Sequence, residues 1–445
     1  MATRHHVLRL TLHFRRSLST IGAFREHDVV FLRQHGPKSP RWHISTPLRA
    51  GSRVKLSFGR SIDADDLLGR RPLDRVCDSG GQPVILHEPT LANYVLHNSS
   101  SRLATPIYPH DANIIVALLD LHPARPGEDD DPDQQSDPRP PFEIFEAGTG
   151  MGSLTLHLAR AVHAANPSFP SALRRAICAA PAIRDPDVVG AELGTEDQAT
   201  LDNYRASRRL ILHSLDQNVS RVKAAFKFVR HFRRALYLPA VDFHVGTIEA
   251  YISLRLLSSS GRPFLSRAVL DVASPHEGAA PVIQALHPGS LLVVFQPSIS
   301  QIAGFQEWCK RTGQPVLLEK AIELSVTTVV DGHNDAGGGR LWNVKMSIPR
   351  ADKGAPDKQV QVLRPMVGGQ VAGGGFVAVY RRWPAGEMSA SVPEEPGEPE
   401  DLRGSSTEAE PEEETPSREA RVETPPTSTD AEEREVEHDV ETSKR

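Results

Sequence analysis

Residues 142–162 read FEIFEAGTGMGSLTLHLARAV, and this stretch decides the fold. FEIFEA is short, aromatic and branched, as a strand should be. SLTLHLARAV repeats its apolar residues with helical spacing, placing Leu154, Leu158, Val162 and then Ala165 on one face. Between them stand Gly148, Gly150 and Gly152. A glycine turn that closes a strand and opens a helix lets the backbone approach a ligand, because no Cβ intervenes. The spacing is GxGxG rather than GxGxxG, and Glu146 stands two residues before the first glycine. That acid disfavours a diphosphate at the turn and suits a ligand carrying an amino-acid ammonium group. The reading favours S-adenosylmethionine over a nicotinamide dinucleotide.

Downstream, strand-like and helix-like runs alternate: RLILHSLD, the helix NVSRVKAAFKFVRHFRR, VDFHVG, RAVLDVA, SLLVVFQP, VLLEKAIEL and GFVAVYRR. About seven strands with interleaved helices predict a doubly wound α/β domain. The last two runs, with no clear helix between them, suit an antiparallel hairpin with loops at 332–339 and 350–362. Residues 166–207, rich in Pro, Ala and Asp, fit the alternation poorly and are expected to be an insertion. A ribose needs an acceptor at the end of the second strand. Asp216 closes RLILHSLD before a convincing helix and is preferred to Glu192, which closes VVGAE. Either acid can instead cap a helix.

Upstream, 27–110 carries short strand-like runs broken by Gly and Pro, predicting a small β-rich module, and a helix is expected from about Asp111. The Pro- and Asp-rich run GEDDDPDQQSDPRPP before the first strand reads as a surface loop. From Gly386 onward there are 20 acidic and 6 basic residues, a net of −14 against −5 for the whole chain, so residues 1–385 carry +9. The expectation is a disordered acidic tail over 384–445 and a basic folded part. A polyanionic partner fits that charge, as does an ordinary basic surface. Residues 1–26 hold five arginines, Ser and Thr, and no acid before Glu26, the composition of a mitochondrial transit peptide. The three cysteines lie far apart with no CxxC, so neither a disulfide framework nor a zinc site is expected. No apolar run approaches bilayer-spanning length.

TPIYPHDANIIVALL (105–119), EAGTGMGSLTLHLARAV (146–162), VLDVASPHE (269–277) and LHPGSLLVVFQPSISQI (286–302) together resemble the catalytic subunit of tRNA (adenine-58-N1)-methyltransferases. The resemblance runs from about Val29 to Arg381, interrupted at 166–207. The glycine turn alone fits any class I methyltransferase; IYPHD with PSISQ is more specific. Ser-Pro-His after Asp271 is similar to the mitochondrial branch, since other members usually carry Pro-Trp there. The resemblance implies a small N-terminal β-barrel, a Rossmann-like class I methyltransferase domain (111–383), S-adenosylmethionine as donor, tRNA as substrate, a tetrameric assembly and a mitochondrial matrix location. By position it assigns Glu146, Gly148, Thr149, Gly150 and Gly152 to the methionine side, Asp216 to the ribose, and Asp271 to the target base as the catalytic carboxylate. Tyr108, Thr105 and His110 are placed near the cofactor or substrate entrance. His276 either stacks on the base or finishes the turn. Gly246-Thr247 stands where the family commonly has Gly-Asp, which leaves Thr247 to contact the adenine amino group. VAGGGF stands where many relatives have Gly-His-Thr-Gly, so no histidine role transfers there.

Adenine N1 carries a lone pair and becomes part of a cationic ring on methylation, so a carboxylate beside N1 and N6 both orients the base and stabilises the product. The base must leave its stack to reach it. Lys223, Lys227, Arg230, Arg233 and Arg234 form a cationic helix that either holds phosphates or is a solvated face. Two rival readings stand beside catalysis on tRNA: a non-catalytic RNA-binding subunit, and a class I methyltransferase acting on protein or a small molecule.

Overall fold

The computed structural model describes residues 22–35, 40–98, 103–125, 128, 140–185, 188–325 and 370–384, with strands at 327–329, 342–347 and 360–365. The first part of the expected leader, most of the Pro/Asp spacer, the 332–339 loop and the acidic tail lie outside the described residues.

The N-terminal module is β-rich, as its broken apolar runs imply. It holds β1 (Phe31–Gln34), β2 (Arg41–Ile44), β3 (Arg53–Lys55), β4 (Ser61–Asp63), α1 (Ala64–Leu67), β5 (Arg75–Cys77) and β6 (Pro83–His87). The sheet runs β2-β1-β6-β5, with β3 and β4 as a separate hairpin. Among the described residues the ladder is open, where a closed barrel was expected. Its core comprises Val30, Leu32, Leu48, Val54, Ile62, Leu67 and Leu86. Phe24 belongs to that core, 5% exposed, and its backbone bonds to Arg70 and Gly69. The module therefore begins before residue 27.

Then follow α2 (Leu91–His97), α3 (Pro109–Leu118), β7 (Phe142–Ala147), α4 (Ser153–Val162), α5 (Ser171–Ala179), α6 (Thr195–Ala206), β8 (Leu210–Asp216) and α7 (Val219–His231). The alternation continues through β9 (Val241–Val245), α8 (Ile248–Ser258), β10 (Leu265–Leu270), α9 (Pro275–Ala285), β11 (Leu286–Gln296), α10 (Ile299–Arg311) and β12 (Val316–Leu324). The excursion β13 (Thr327–Val329), β14 (Trp342–Ser347), β15 (Val360–Pro365) and β16 (Gln370–Ala372) leads to β17 (Gly375–Arg382). Val360, expected in a loop, opens β15.

The main sheet is seven-stranded, ordered β12-β17-β11-β10-β7-β8-β9. Parallel pairing joins β9, β8, β7, β10 and β11, while β17 runs antiparallel between β11 and β12. Because strand side chains alternate, each strand feeds two cores. Ile144, Val269, Val293 and Val379 join one with α3, α4 and α7. Phe145, Leu270, Val294 and Tyr380 join the other with α8, α9 and α10. Strand order reverses between β7 and β10, which opens a crevice at the carboxyl ends of the strands, where α/β sheets take ligands.

The 166–207 insertion contains α5 and α6 and closes on itself through an Ala182–Ala191 bridge. Leu91, Tyr94 and Val95 of α2 pack into the large domain's core. Tyr94 donates its hydroxyl to the Phe228 carbonyl at 2.8 Å.

Candidate active site

The glycine turn follows β7. Gly148, Gly150 and Gly152 hold φ of 95°, 52° and 86°, backbone that L side chains rarely adopt. A Cβ on Gly148 would lie 1.9 Å from the main-chain oxygen of Asp271, and one on Gly152 would lie 3.0 Å from Cβ of Ala225. The first glycine therefore lets β7 meet the end of β10, and the third lets α4 approach α7. Main-chain bonds lace the strand ends together: Gly148 and Thr149 N–H to Leu215 O (2.8 and 3.2 Å), Asp271 N–H to Ala147 O (2.9 Å) and Gly246 N–H to Asp216 O (3.1 Å).

At this seam lies a cavity of about 500 Å³, lined by Gly148, Asp216, Thr247 and Asp271 together with Arg221, Glu249, Ser274 and Glu277. Four carboxylates and one guanidinium face it, so its field favours a cation. The volume suits a nucleoside-sized ligand. Asp216, 8% exposed, accepts from Gly150 N–H at 3.1 Å and Asn218 N–H at 2.9 Å. These donors orient its carboxylate at the end of β8, as a ribose acceptor requires. Glu192 is exposed on irregular backbone, accepting from Arg184 N–H at 3.3 Å, and does not line the cavity. Asp271 is half-buried with its carboxyl pushed up to about 7, first by burial and then by the charge of Asp216. Thr247 caps α8, its hydroxyl oxygen accepting from Ala250 N–H at 3.2 Å.

Glu146 is placed differently from a direct ligand contact. It is 0% exposed, and its Oε2 accepts from the hydroxyls of Thr155 (2.6 Å) and Ser214 (2.8 Å). Thr149 and Ser214 hydroxyls meet at 2.8 Å, so the acid braces the glycine turn from behind. Its buried Oε1 has no partner among the described residues, and burial pushes the carboxyl up to about 8. Glu143, the other acid of β7, is taken by Arg255 and His213, each at 2.7 Å.

Tyr108, Thr105 and His110 do not line the cavity. They precede or open α3, where Ile107 O accepts from Ser153 Oγ at 2.6 Å and Ala104 lies over Gly150. His276 is exposed in the first turn of α9, also outside the lining. Two contributors were missed from sequence. Gln296 donates to Val272 O at 2.8 Å and fixes the loop after Asp271. Asp111, buried in α3, accepts from Gly374 N–H at 3.2 Å, which joins the IYPHD motif to the glycines before β17. No cluster among the described residues could hold a metal ion.

The strand order, the glycine turn and the acidic crevice define a class I methyltransferase-type fold. The chain is 26% identical over 325 residues to the tRNA (adenine(58)-N(1))-methyltransferase TrmI of Thermus thermophilus, in each of two strains, covering 73% of this chain and 87% of that protein. It is a distant relative of those enzymes. Solved structures with similar folds include a SAM-dependent O-methyltransferase from Thermotoga maritima (TM-score 0.48, 13% identity, 81% of this chain and 95% of that one). Another is the tRNA (m1A58) methyltransferase TrmI from Aquifex aeolicus (TM-score 0.43, 13% identity, 81% and 98%). No family model matches the chain.

Proposed function

We propose that this protein is an S-adenosylmethionine-dependent tRNA (adenine-58-N1)-methyltransferase that works in mitochondria. The observation that carries the chemistry is the acid-lined crevice at the glycine turn. A Cβ-free approach at Gly148, an oriented Asp216 and a surplus of carboxylates fit a donor bearing ammonium and sulfonium charges. A dinucleotide's pyrophosphate would meet the same field as repulsion. The relatedness to TrmI supports tRNA as substrate and adenine N1 as target. The arginine-rich start and the Ser-Pro-His after Asp271 support the mitochondrial reading, and the resemblance supports an oligomer, either a homotetramer or an assembly with a non-catalytic subunit.

When bound, the donor supplies an electrophilic methyl group. Gly148 and the backbone around Thr149 and Gly150 hold its methionine side, and Asp216 holds the ribose hydroxyls. Asp271 accepts the adenine N6–H and faces the ring as it becomes cationic. No base needs to deprotonate N1, so Asp271 orients and stabilises rather than removing a proton before attack. A cationic ring beside it draws its raised pKa down, and the interaction therefore strengthens as charge develops.

The test is incubation of the purified chain with labelled donor and an unmodified tRNA, followed by nucleoside analysis. N1-methyladenosine at position 58, lost in Asp271→Ala, is expected. Donor binding without product on any tRNA overturns the reading, and product on protein but not RNA redirects it to another substrate class.

A further inference from the structure

A second cavity, of about 570 Å³, lies away from the glycine turn, where α7, the N-terminal module and the 166–207 insertion meet. α7 gives it Lys223, Lys227, Arg230 and His231, which share one helix face, and the module gives Arg49. Ser45, Thr46 and Ser52 add hydroxyls. Among the described residues, no Asp or Glu lines it. This is the reverse of the donor crevice.

The five cations expected on the α7 helix divide here. Arg233 pairs with Glu88 (2.9 Å) and Arg234 with Asp28 (3.1 Å), clamping the module to the large domain. Arg230, 7% exposed, donates to the carbonyls of Cys178 (3.1 Å) and Ala180 (2.5 Å), which ties α7 to the insertion. Its buried Nε has no acceptor among the described residues. Lys223 spends one N–H on the Asp185 carbonyl at 2.7 Å and keeps two. Lys227 and Arg49 are exposed and, among the described residues, have no ion-pair partner. The charges crowd: His231 is held down at about 3 by burial and then by Arg230, Lys227 and Arg49. A cationic cluster in a concave site, uncompensated among the described residues, is what an anion relieves.

We propose that this cleft docks phosphodiester groups of the RNA substrate, with Arg49, Lys223 and Lys227 as direct contacts and Arg230 as the residue that holds the insertion in place around them. The inference rests on RNA being the substrate and adds where the backbone is gripped. The insertion is thereby a wall of the RNA site, in a part of the chain that the family resemblance does not cover.

The test uses the full chain with Arg49→Gln, Lys227→Gln and the double variant, all changes to exposed side chains whose folding is checked by thermal melting. A charge-matched control, Lys310→Gln with Arg311→Gln, alters exposed cations of α10. tRNA affinity is measured against salt concentration. The log–log slope should fall by about 0.7–0.9 for each phosphate contact removed. KM for tRNA should rise while kcat and donor binding stay unchanged, and the control should leave the slope alone. An unchanged slope in a double variant that still methylates tRNA overturns the cleft and leaves the proposed function standing. Loss of ATP binding with the tRNA slope intact shows a free-nucleotide site and also overturns it. A wild-type chain that binds no tRNA at low salt overturns both.

Discussion

Replacing Gly148 with Ala tests whether the turn geometry, rather than the mere presence of glycine, sets the reaction. A Cβ there would stand 1.9 Å from Asp271 O, and contacts below 3.0 Å are not sustained, so the two backbones must part by about 1.1 Å. The obstacle is main chain, not a side-chain end that swings away. Asp271 is also held by its N–H bond to Ala147 O at 2.9 Å, so the motion moves the carboxylate together with the strand end. Alanine at φ 95° adds left-handed strain of about 1–2 kcal/mol, or roughly 2–6 °C in Tm. A displacement of about 1 Å at a reacting group costs on the order of 100-fold. kcat/KM for tRNA methylation should therefore fall about 100-fold, with a melting-temperature loss that adds an overpacking cost of about 1–3 kcal/mol to that strain. Gly150→Ala is the internal comparison. Its Cβ would meet nothing closer than Ala104 Cβ at 3.7 Å, leaving only backbone strain at φ 52°, so less than tenfold should be lost. Gly148→Ala within threefold of wild type, with donor affinity unaltered, refutes the reasoning.

Three further outcomes are expected. Since the free enzyme's Asp271 titrates near 7, kcat/KM should rise with pH through that region, and Asp271→Asn should flatten the profile and cost roughly 10²–10³-fold; a wild-type profile flat from pH 5.5 to 8.5 contradicts this. Glu146 carries a raised pKa of about 8 against an ordinary 4.5, so the folded state keeps a proton that the unfolded state releases. Its contribution to stability therefore falls as pH rises from about 4.5 to about 8, and Glu146→Gln should remove that fall in denaturant titrations at pH 5 and 9. Arg208 holds Asp242 with bonds of 2.9 and 2.6 Å while its own side chain is only 4% exposed. Arg208→Ala should cost about 3–5 kcal/mol in denaturant unfolding, whereas a loss under 1 kcal/mol would show the buried pair contributes little.

The seven strands of the sheet were legible because each is a run of branched and aromatic residues bounded by Gly, Pro or a helical repeat. That Asp216, and not Glu192, closes a strand of the sheet was legible because a convincing strand ended at one acid and irregular sequence at the other. What escaped were pairings that leave no local period. Thr149, Ser214, Glu146 and Thr155 form one hydroxyl–carboxylate web, yet Ser214 stands 65 positions from Thr149. Asp111 and Gly374 are 263 apart. Glu146 stands at the spacing from the turn that a ligand-facing acid would have. Spacing along one strand does not show that neighbouring hydroxyls on β8 and α4 take the carboxylate first. α6 escaped because it buries little beyond Tyr204, so its apolar stripe is faint; α5 does carry a stripe, Leu173, Ile177 and Cys178, but over a short helix set among Pro- and Ala-rich sequence.

Sequence charge counts average over what the fold separates. Residues 1–385 are basic as a set, yet among the described residues the charged lining of the crevice at the glycine turn is Asp216, Glu249, Asp271 and Glu277 against Arg221, while the cleft beyond it gathers cations. α7 spans both, with Arg221 at the first and Lys223 through His231 at the second. A reaction that brings a cationic donor to a polyanion needs this separation. Carboxylates close to the phosphates would repel the RNA, and lysines beside the donor would repel the sulfonium. The carboxyl of Asp271 is raised first by burial and then by the charge of Asp216; the second part is the cost of concentrating acids in one crevice, and a cation bound there relieves it. Reversing the charge of Arg221 should therefore tighten donor binding at low salt; Arg221→Glu that weakens it would mean the crevice is organised around an anion instead.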